Sequence, residues 1–302
     1  MISDWMGEKA MKAHKIAIVG AGVVGTALAS LLNEKGYQVV GMAGRKEESL
    51  KKAIALVGGE VRFTTAPEEI TPLADLVFIT TSDSAIQEVC DRIAGKGGFR
   101  PGQIVVHTSG SLPSTILQSA RDSGALIAAC HPLQSFADAT SAIKLIPSSI
   151  FNLEGDQAAM PILTELVQAL GGKPLAINTE EKPIYHAAAV VACNFLVTLV
   201  YLSYQLFEVI GISQGDAAQA LLPLIKGTVN NIENLGPVKA LTGPIARGDV
   251  GVIKGHLEAM KSLDPRFIDI YRTISRMTVE IGIKKGTLTP ERGEKILQIV
   301  ER

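Results

Sequence analysis

The strongest constraint on this chain is a short run near its start. Lys15 to Val19 is apolar and strand-like, and Gly20-Ala21-Gly22-Val23-Val24-Gly25 follows directly. A helical pattern runs from Thr26 to Glu34, Gly36 stops it, and Tyr37 to Ala43 reads as a second strand. Glycines at this spacing have a mechanical reading. The first permits a tight turn, the second lets the backbone approach a pyrophosphate, and the third lets helix and strand pack closely. Free N–H groups at the helix start then bind the phosphates. Such glycines also mark ordinary turns, so the strand before, the helix after and the second strand carry the argument. Gly20, Gly22, Val23, Val24 and Gly25 are the expected dinucleotide loop.

The alternation continues. Strands are expected at 61–63, 76–80, 103–107, 125–130, 150–152 and 174–177, with helices over 47–57, 83–93, 114–123 and 160–170 between them. Strands alternating with helices imply a parallel sheet covered on both faces. From about Glu180 long helical runs replace strands, over 184–210, 213–235, 251–262, 265–281 and 290–300. The fold class is therefore α/β: a doubly wound Rossmann sheet over residues 1–178, followed by an all-α domain over 179–302.

The end of the second strand discriminates between cofactors. An acidic residue there holds the ribose 2′-hydroxyl of NAD. This chain has Met42-Ala43-Gly44-Arg45-Lys46 and no acid before Glu47. A guanidinium grips a 2′-phosphate with two bonds, whereas a carboxylate repels it. Arg45 and Lys46 therefore point to NADP(H). Thr81, Ser82 and Asp83 follow the fourth strand, where they either line the cofactor or cap the next helix.

Ligands of open α/β sheets sit beyond the carboxyl ends of the strands. Of the five histidines, His107 and His131 fall at such ends, and His186 lies near the start of the first long helix. His14 precedes the first strand, and His256 sits in a late helix and reads as structural or exposed. His107 leads the small polar loop Thr108-Ser109-Gly110-Ser111, which places His107 and Ser109 near the nicotinamide. His131 opens His131-Pro132-Leu133-Gln134-Ser135-Phe136, so His131, Gln134 and Ser135 are expected to shape a substrate pocket. His186 and Asn194 lie within about 80° of each other if one helix carries both. They are the expected catalytic pair, His186 as general acid/base and Asn194 holding the reacting C=O or C=N. No HxxxH or HExxH spacing is present, so no metal is expected. In Leu241-Thr242-Gly243-Pro244-Ile245-Ala246-Arg247-Gly248-Asp249, Arg247 and Asp249 read as a local ion pair, with an anionic substrate as the other use for Arg247.

Composition limits the alternatives. A net charge of −1 and 5% aromatics give nucleic acid little to recognise. Cys90, Cys130 and Cys193 form no CxxC pair, which fits a reducing cytosol. Residues 1–15 lack the apolar core of a signal peptide, so a cytoplasmic protein is expected. Ala187 to Phe207 contains no charged residue and is long enough to cross a bilayer. Its Asn194, Thr198, Ser203 and Gln205 argue instead for the buried centre of a helical domain or for a dimer interface.

GAGVVG, HTSG, HPLQSF, YHAAAVVACNF and LTGPIARGD together resemble a bacterial family of Rossmann-like proteins with a helical domain of unknown function, catalogued as NADP oxidoreductases of unproven activity. The layout is more distantly similar to pyrroline-carboxylate reductase, prephenate dehydrogenase and the β-hydroxyacid dehydrogenases. That resemblance implies a 6-phosphogluconate-dehydrogenase-like second domain, a homodimer built through it, and a substrate held between the domains. The β-hydroxyacid dehydrogenases carry a Lys one turn before an Asn on the first long helix. Asn194 matches the Asn, but Val190 stands where the Lys would be, and His186 takes its place in the expected scheme. The resulting expectation is an NADP(H)-dependent oxidoreductase acting on a small polar carbonyl or imine. The alternatives are a non-catalytic NADP(H)-binding sensor or assembly protein, and a flavin- or deazaflavin-linked enzyme.

Overall fold

Side-chain alternation along β1 (Lys15–Val19) builds both faces of the sheet at once. Ile16 and Ile18 enter one core cluster, while Ala17 and Val19 enter the other. A strand buried on both faces must be apolar throughout, which is why this run carried no polar alternation. The computed structural model describes residues 14–301. The N-terminal stretch read above for a signal peptide falls almost wholly outside them.

An eight-stranded sheet runs in the order β3-β2-β1-β4-β5-β6-β7-β8. Its strands are β1, β2 (Gln38–Ala43), β3 (Arg62–Thr64), β4 (Leu76–Ile79), β5 (Ile104–His107), β6 (Leu126–Leu133), β7 (Ile150–Gly155) and β8 (Lys173–Ala176). The first six form the doubly wound Rossmann arrangement, with the order reversing between β1 and β4. Helices α1 (Val23–Glu34) and α2 (Glu47–Val57) cover one face, and α3 (Asp83–Gly95) and α4 (Gln118–Asp122) cover the other. Two features depart from expectation. Helix α5 (Ala139–Leu145) is held by a capping box between Asp138 and Ser141 and packs on α1; at seven residues it is too short to show a period. The sheet is also not wholly parallel: β7 runs antiparallel to β6, because the α5 connection returns the chain at the same end. Helix α6 (Met160–Ala169) then leads into β8, parallel to β7.

After β8 the strands stop, as the sequence indicated, but the first compact unit continues to Phe195. It therefore includes α7 (Lys182–Ala192). The single helix expected over 184–210 is interrupted at Cys193 (φ −112°, ψ −66°), and α8 (Asn194–Val209) begins after it.

The second unit, from Leu196 on, is helical, as expected. It holds most of α8, α9 (Gln214–Ala240, broken at Gly236 with φ 75°), α10 (Pro244–Arg247), α11 (Val250–Met260), α12 (Pro265–Lys285) and α13 (Pro290–Val300). Its core gathers Ile253, Leu257, Met260, Phe267, Val279 and Ile296, with Leu202 and Leu206 packed against it. The reading of 187–207 as a buried centre is corrected. The helical stretch Thr179–Val209 is long enough to span a membrane, and its 18-residue apolar window, of mean hydropathy 1.8, is 0% buried in the single chain.

What fixes α7 against the sheet is a buried charge pair. Glu154 on β7 accepts hydrogen bonds from Ser114 N–H (2.9 Å), Ser114 Oγ (2.7 Å) and Thr179 Oγ1 (2.9 Å). Lys182, the first residue of α7, is wholly buried, with Nζ 3.6 Å from Glu154 Oε2 and donating to the Ser109 carbonyl at 3.5 Å. Burial pushes the Glu154 carboxyl up, but the Ser114 and Thr179 bonds and the Lys182 charge outweigh it and hold it below the usual carboxylate range. Burial lowers Lys182, and Glu154 opposes that fall. Truncating one member strands the other charge in the interior, at about 3–5 kcal/mol. Lys182→Met should therefore lower unfolding stability by about that much, and Lys182→Met with Glu154→Gln by less than the sum of the two single changes. A urea-unfolding cycle of the four proteins measures this; strict additivity would mean the pair does not act as a unit.

Candidate functional site

The first half of the site lies where the sheet order reverses. At the end of β1, Gly20 adopts φ +129° and donates its N–H to the Ala43 carbonyl (2.7 Å), tying β1 to β2. Thr80 Oγ1 donates to the Gly20 carbonyl at 2.8 Å. A Cβ on Gly20 would lie 2.6 Å from Thr80 Oγ1, and one on Gly25 would lie 2.0 Å from the Gly20 carbonyl oxygen. Packing alone therefore requires both glycines. Gly22 differs, since a Cβ there would meet nothing within 4 Å. Protein packing does not explain that glycine, whereas close approach of a ligand does. Gly22 also occupies the N-cap of α1, with no side chain capping the helix, so the first-turn N–H groups face this open space. The arrangement fits the pyrophosphate of a dinucleotide. Val23 and Val24 open the helix and are half-buried.

The flanking residues are consistent with this placement. Arg45 and Lys46 are exposed just past β2, Lys46 at the N-cap of α2. Thr81 Oγ1 is buried with no hydrogen-bond partner among the described residues. Ser82 holds the N-cap position of α3 without a side-chain cap bond; its hydroxyl lies 3.4 Å from Ser84 Oγ. Asp83 turns to the neighbouring loop and accepts from Ser109 Oγ (2.7 Å) and Ser111 Oγ (3.1 Å).

The second half gathers around Gly110, in the loop after β5. A Cβ there would lie 2.7 Å from His131 Cε1, 2.8 Å from His131 Nε2 and 2.9 Å from His186 Cδ2. The missing side chain is what lets the two rings approach, with centroids 6.3 Å apart. On its other edge, His131 Nδ1 lies 3.1 Å from the Tyr185 hydroxyl, the rings edge-to-face at 5.9 Å. Burial, then the Lys182 charge and His186, lower His131 to about 4, so the ring is neutral at neutral pH. Burial raises the Tyr185 phenol to about 12.

His107 is held inside the loop that it leads. It is fully buried, its Nδ1 accepting from Ser109 N–H (3.1 Å) and its Nε2 donating to the Pro113 carbonyl (3.2 Å). Both nitrogens serve the loop, and burial followed by the Lys182 charge lowers the ring to about 4. Ser109 is equally engaged, bonding Asp83 and receiving the N–H groups of Ser111 and Leu112. Gln134 and Ser135 are exposed past β6, Gln134 Oε1 accepting from Ser135 N–H. Asn194 opens α8 beyond the Cys193 break, so it does not share one helix face with His186 as the spacing suggested. Arg247 and Asp249 form the local ion pair, at 2.9 Å, and His256 bonds Tyr271. Sequence reasoning overlooked Tyr185, Lys182, Glu154 and Gly110. Lys182 was within reach, since it stands one turn before His186 on the same helix.

Residues 5–132 match the model of a Rossmann-like domain, and residues 149–278 match a domain of unknown function, DUF2520. The chain thus joins a Rossmann-like domain to a DUF2520 domain. No curated protein matches it by sequence. Among solved structures, a presumed NADP oxidoreductase of Bacteroides fragilis is 28% identical, with a TM-score of 0.74 over 89% of this chain and 99% of that one. Protein TM1727 of Thermotoga maritima is 26% identical, with a TM-score of 0.70 over 89% and 99%. A reductive aminase of Aspergillus terreus, in complex with NADPH and ethyl levulinate, shares the fold at 14% identity, with a TM-score of 0.61 over 94% and 98%.

The two glycine environments separate binding from folding. Gly25→Ala, forced against the Gly20 carbonyl, should cost on the order of 1–3 kcal/mol or more in unfolding free energy. Gly22→Ala should change stability by less than about 1 kcal/mol yet weaken dinucleotide binding. Thermal melts and dye-displacement titrations of both variants check this; equal destabilisation would contradict the assignment of Gly22 to a ligand.

Proposed function

We propose that this chain is an NADP(H)-dependent oxidoreductase acting on a small polar carbonyl or imine compound. The carrying observation is the open space at Gly22 before an uncapped helix, with Arg45 and Lys46 in place of an acid after β2. The Bacteroides fragilis protein, described as a presumed NADP oxidoreductase, and the NADPH-bound Aspergillus terreus enzyme support it. When bound, NADPH supplies the hydride. The uncapped N–H groups of α1 hold the pyrophosphate, and Arg45 with Lys46 holds the 2′-phosphate. Thr81, Ser82 and Asp83 line the ribose side, and His107 and Ser109 set the loop beside the nicotinamide. His131, Gln134 and Ser135 shape the substrate pocket. His186, half-exposed at Gly110, exchanges protons with the site as its acid/base, and Asn194 holds the reacting group.

Cofactor choice is tested by fluorescence titration with NADPH and NADH. NADPH should bind more tightly, and Arg45→Ala should remove on the order of 10- to 100-fold of that preference, the worth of charge-assisted hydrogen bonds at about 1.5–3 kcal/mol. Equal affinity for both cofactors in the parent protein would refute the NADP(H) assignment.

The exposed apolar residues of α7, α8 and α9 are read as parts of a subunit interface. Ile184, Val191, Phe195, Val197, Tyr201 and Leu224 are each more than half exposed, an apolar surface of the kind that marks association. A homodimer through these helices covers it. Light scattering in detergent-free buffer should give twice the chain mass of 32.0 kDa, and Val197→Glu should shift it toward a single chain. A parent protein of single-chain mass, or one that stays in solution only with detergent, would count against the dimer.

A further inference from the structure

The cluster at Gly110 contains one pair whose chemistry the reading above leaves unused, Tyr185 and His131. Tyr185 is the residue before His186 on α7, held there through Lys182 and Glu154 at the start of the same helix. Its hydroxyl contacts Nδ1 of His131, and the opposite edge of that ring, Cε1 and Nε2, lies against Gly110 beside His186. The imidazole therefore stands between the Tyr185 phenol at Nδ1 and the His186 ring beside Gly110. A neutral imidazole can take a proton at one nitrogen while releasing one from the other, so this ring is placed as a relay.

We propose that the Tyr185 hydroxyl delivers the proton to the atom being reduced, that His131 replenishes it, and that His186 is the acid/base that exchanges protons between this relay and solvent. The proposal rests on the oxidoreductase reading. As the substrate carbon receives the hydride, the π pair of C=O or C=N moves onto the heteroatom, which takes the Tyr185 proton. The tyrosine oxygen takes the Nδ1 proton of His131, and His131 Nε2 takes one from solvent by way of His186; loss of the Nε2 proton and uptake of one at Nδ1, both by exchange with solvent, restore the Nδ1–H ring before the next turnover. Carbon is reduced at the expense of the cofactor's hydride, and one solvent proton is consumed per turnover. The alkoxide or nitrogen anion that develops is a stronger base than phenolate even with the phenol at about 12, so the transfer runs toward product. Tyr185 also keeps its proton across the whole neutral range.

The arrangement requires the resting hydrogen bond to run from His131 Nδ1–H to the tyrosine oxygen. The reverse direction would turn the phenolic proton into the ring and away from a substrate. Nitrogen-15 NMR of the full-length protein distinguishes the two without any substrate. The His131 signals are identified by their loss in His131→Gln and recorded with and without NADP+. A neutral ring protonated at Nδ1, whose Nδ1 signal moves in Tyr185→Phe and not in His186→Ala, is the expected result. A ring protonated at Nε2 would overturn the proposal. With compounds reduced in an NADPH screen of cyclic imines and keto acids, Tyr185→Phe should lower kcat by on the order of 100-fold, with the melting temperature and NADPH affinity kept. A kcat close to that of the parent protein would equally overturn it. Failure of the parent protein to bind NADPH would instead fault the oxidoreductase reading, leaving the tautomer measurement to stand alone.

Discussion

The buried contact between Glu154 and Lys182 is the constraint on which the rest of the candidate site depends. Two charges removed from water lose solvation that their attraction only roughly returns, so such a pair fixes position more than it adds net stability. Here it fixes several segments together. Glu154 stands on β7, Ser114 follows the β5 loop, Thr179 lies between β8 and α7, and Lys182 opens α7 and reaches the Ser109 carbonyl. Any shift of α7 would separate these partners. Because α7 also carries Tyr185 and His186, the same contact sets where those side chains meet His131.

The electrostatic result is two neutral imidazoles, His107 and His131, beside a satisfied ion pair. The Lys182 charge lowers both His107 and His131, which burial has already lowered, so neither ring carries charge at neutral pH. His107 uses that neutrality to hold its loop through both nitrogens. His131 has one nitrogen toward a tyrosine and the other toward Gly110. Neighbouring histidines at the ends of adjacent strands thus have different tasks, set by what each nitrogen touches.

The sequence made the sheet legible because a strand buried on both faces has to be apolar, as Leu76 to Ile79 and Ile104 to Val106 are. The glycine loop was legible because Gly20 and Gly25 leave no room for a Cβ and Gly22 leaves room for a ligand. The direction of β7 was not, since side-chain pattern does not record whether a neighbour runs parallel. The state of 187–207 was not, since an apolar helix looks alike in the sequence whether it fills a core or lies uncovered on the single chain. In the catalytic region, histidines at strand ends were visible as residue types. Lys182 and Glu154 were overlooked because buried charges are uncommon and only the fold brings positions 154 and 182 together. Tyr185 acquires meaning only from its distance to His131.

A crystal structure of the protein grown with NADPH tests the central claim most directly. The account predicts the pyrophosphate against the backbone of Gly22 and the first turn of α1, the 2′-phosphate at Arg45, and the nicotinamide directed toward the loop of Ser109 and Gly110. An adenosine phosphate bound elsewhere, or a nicotinamide pointing away from His131 and Tyr185, would contradict it.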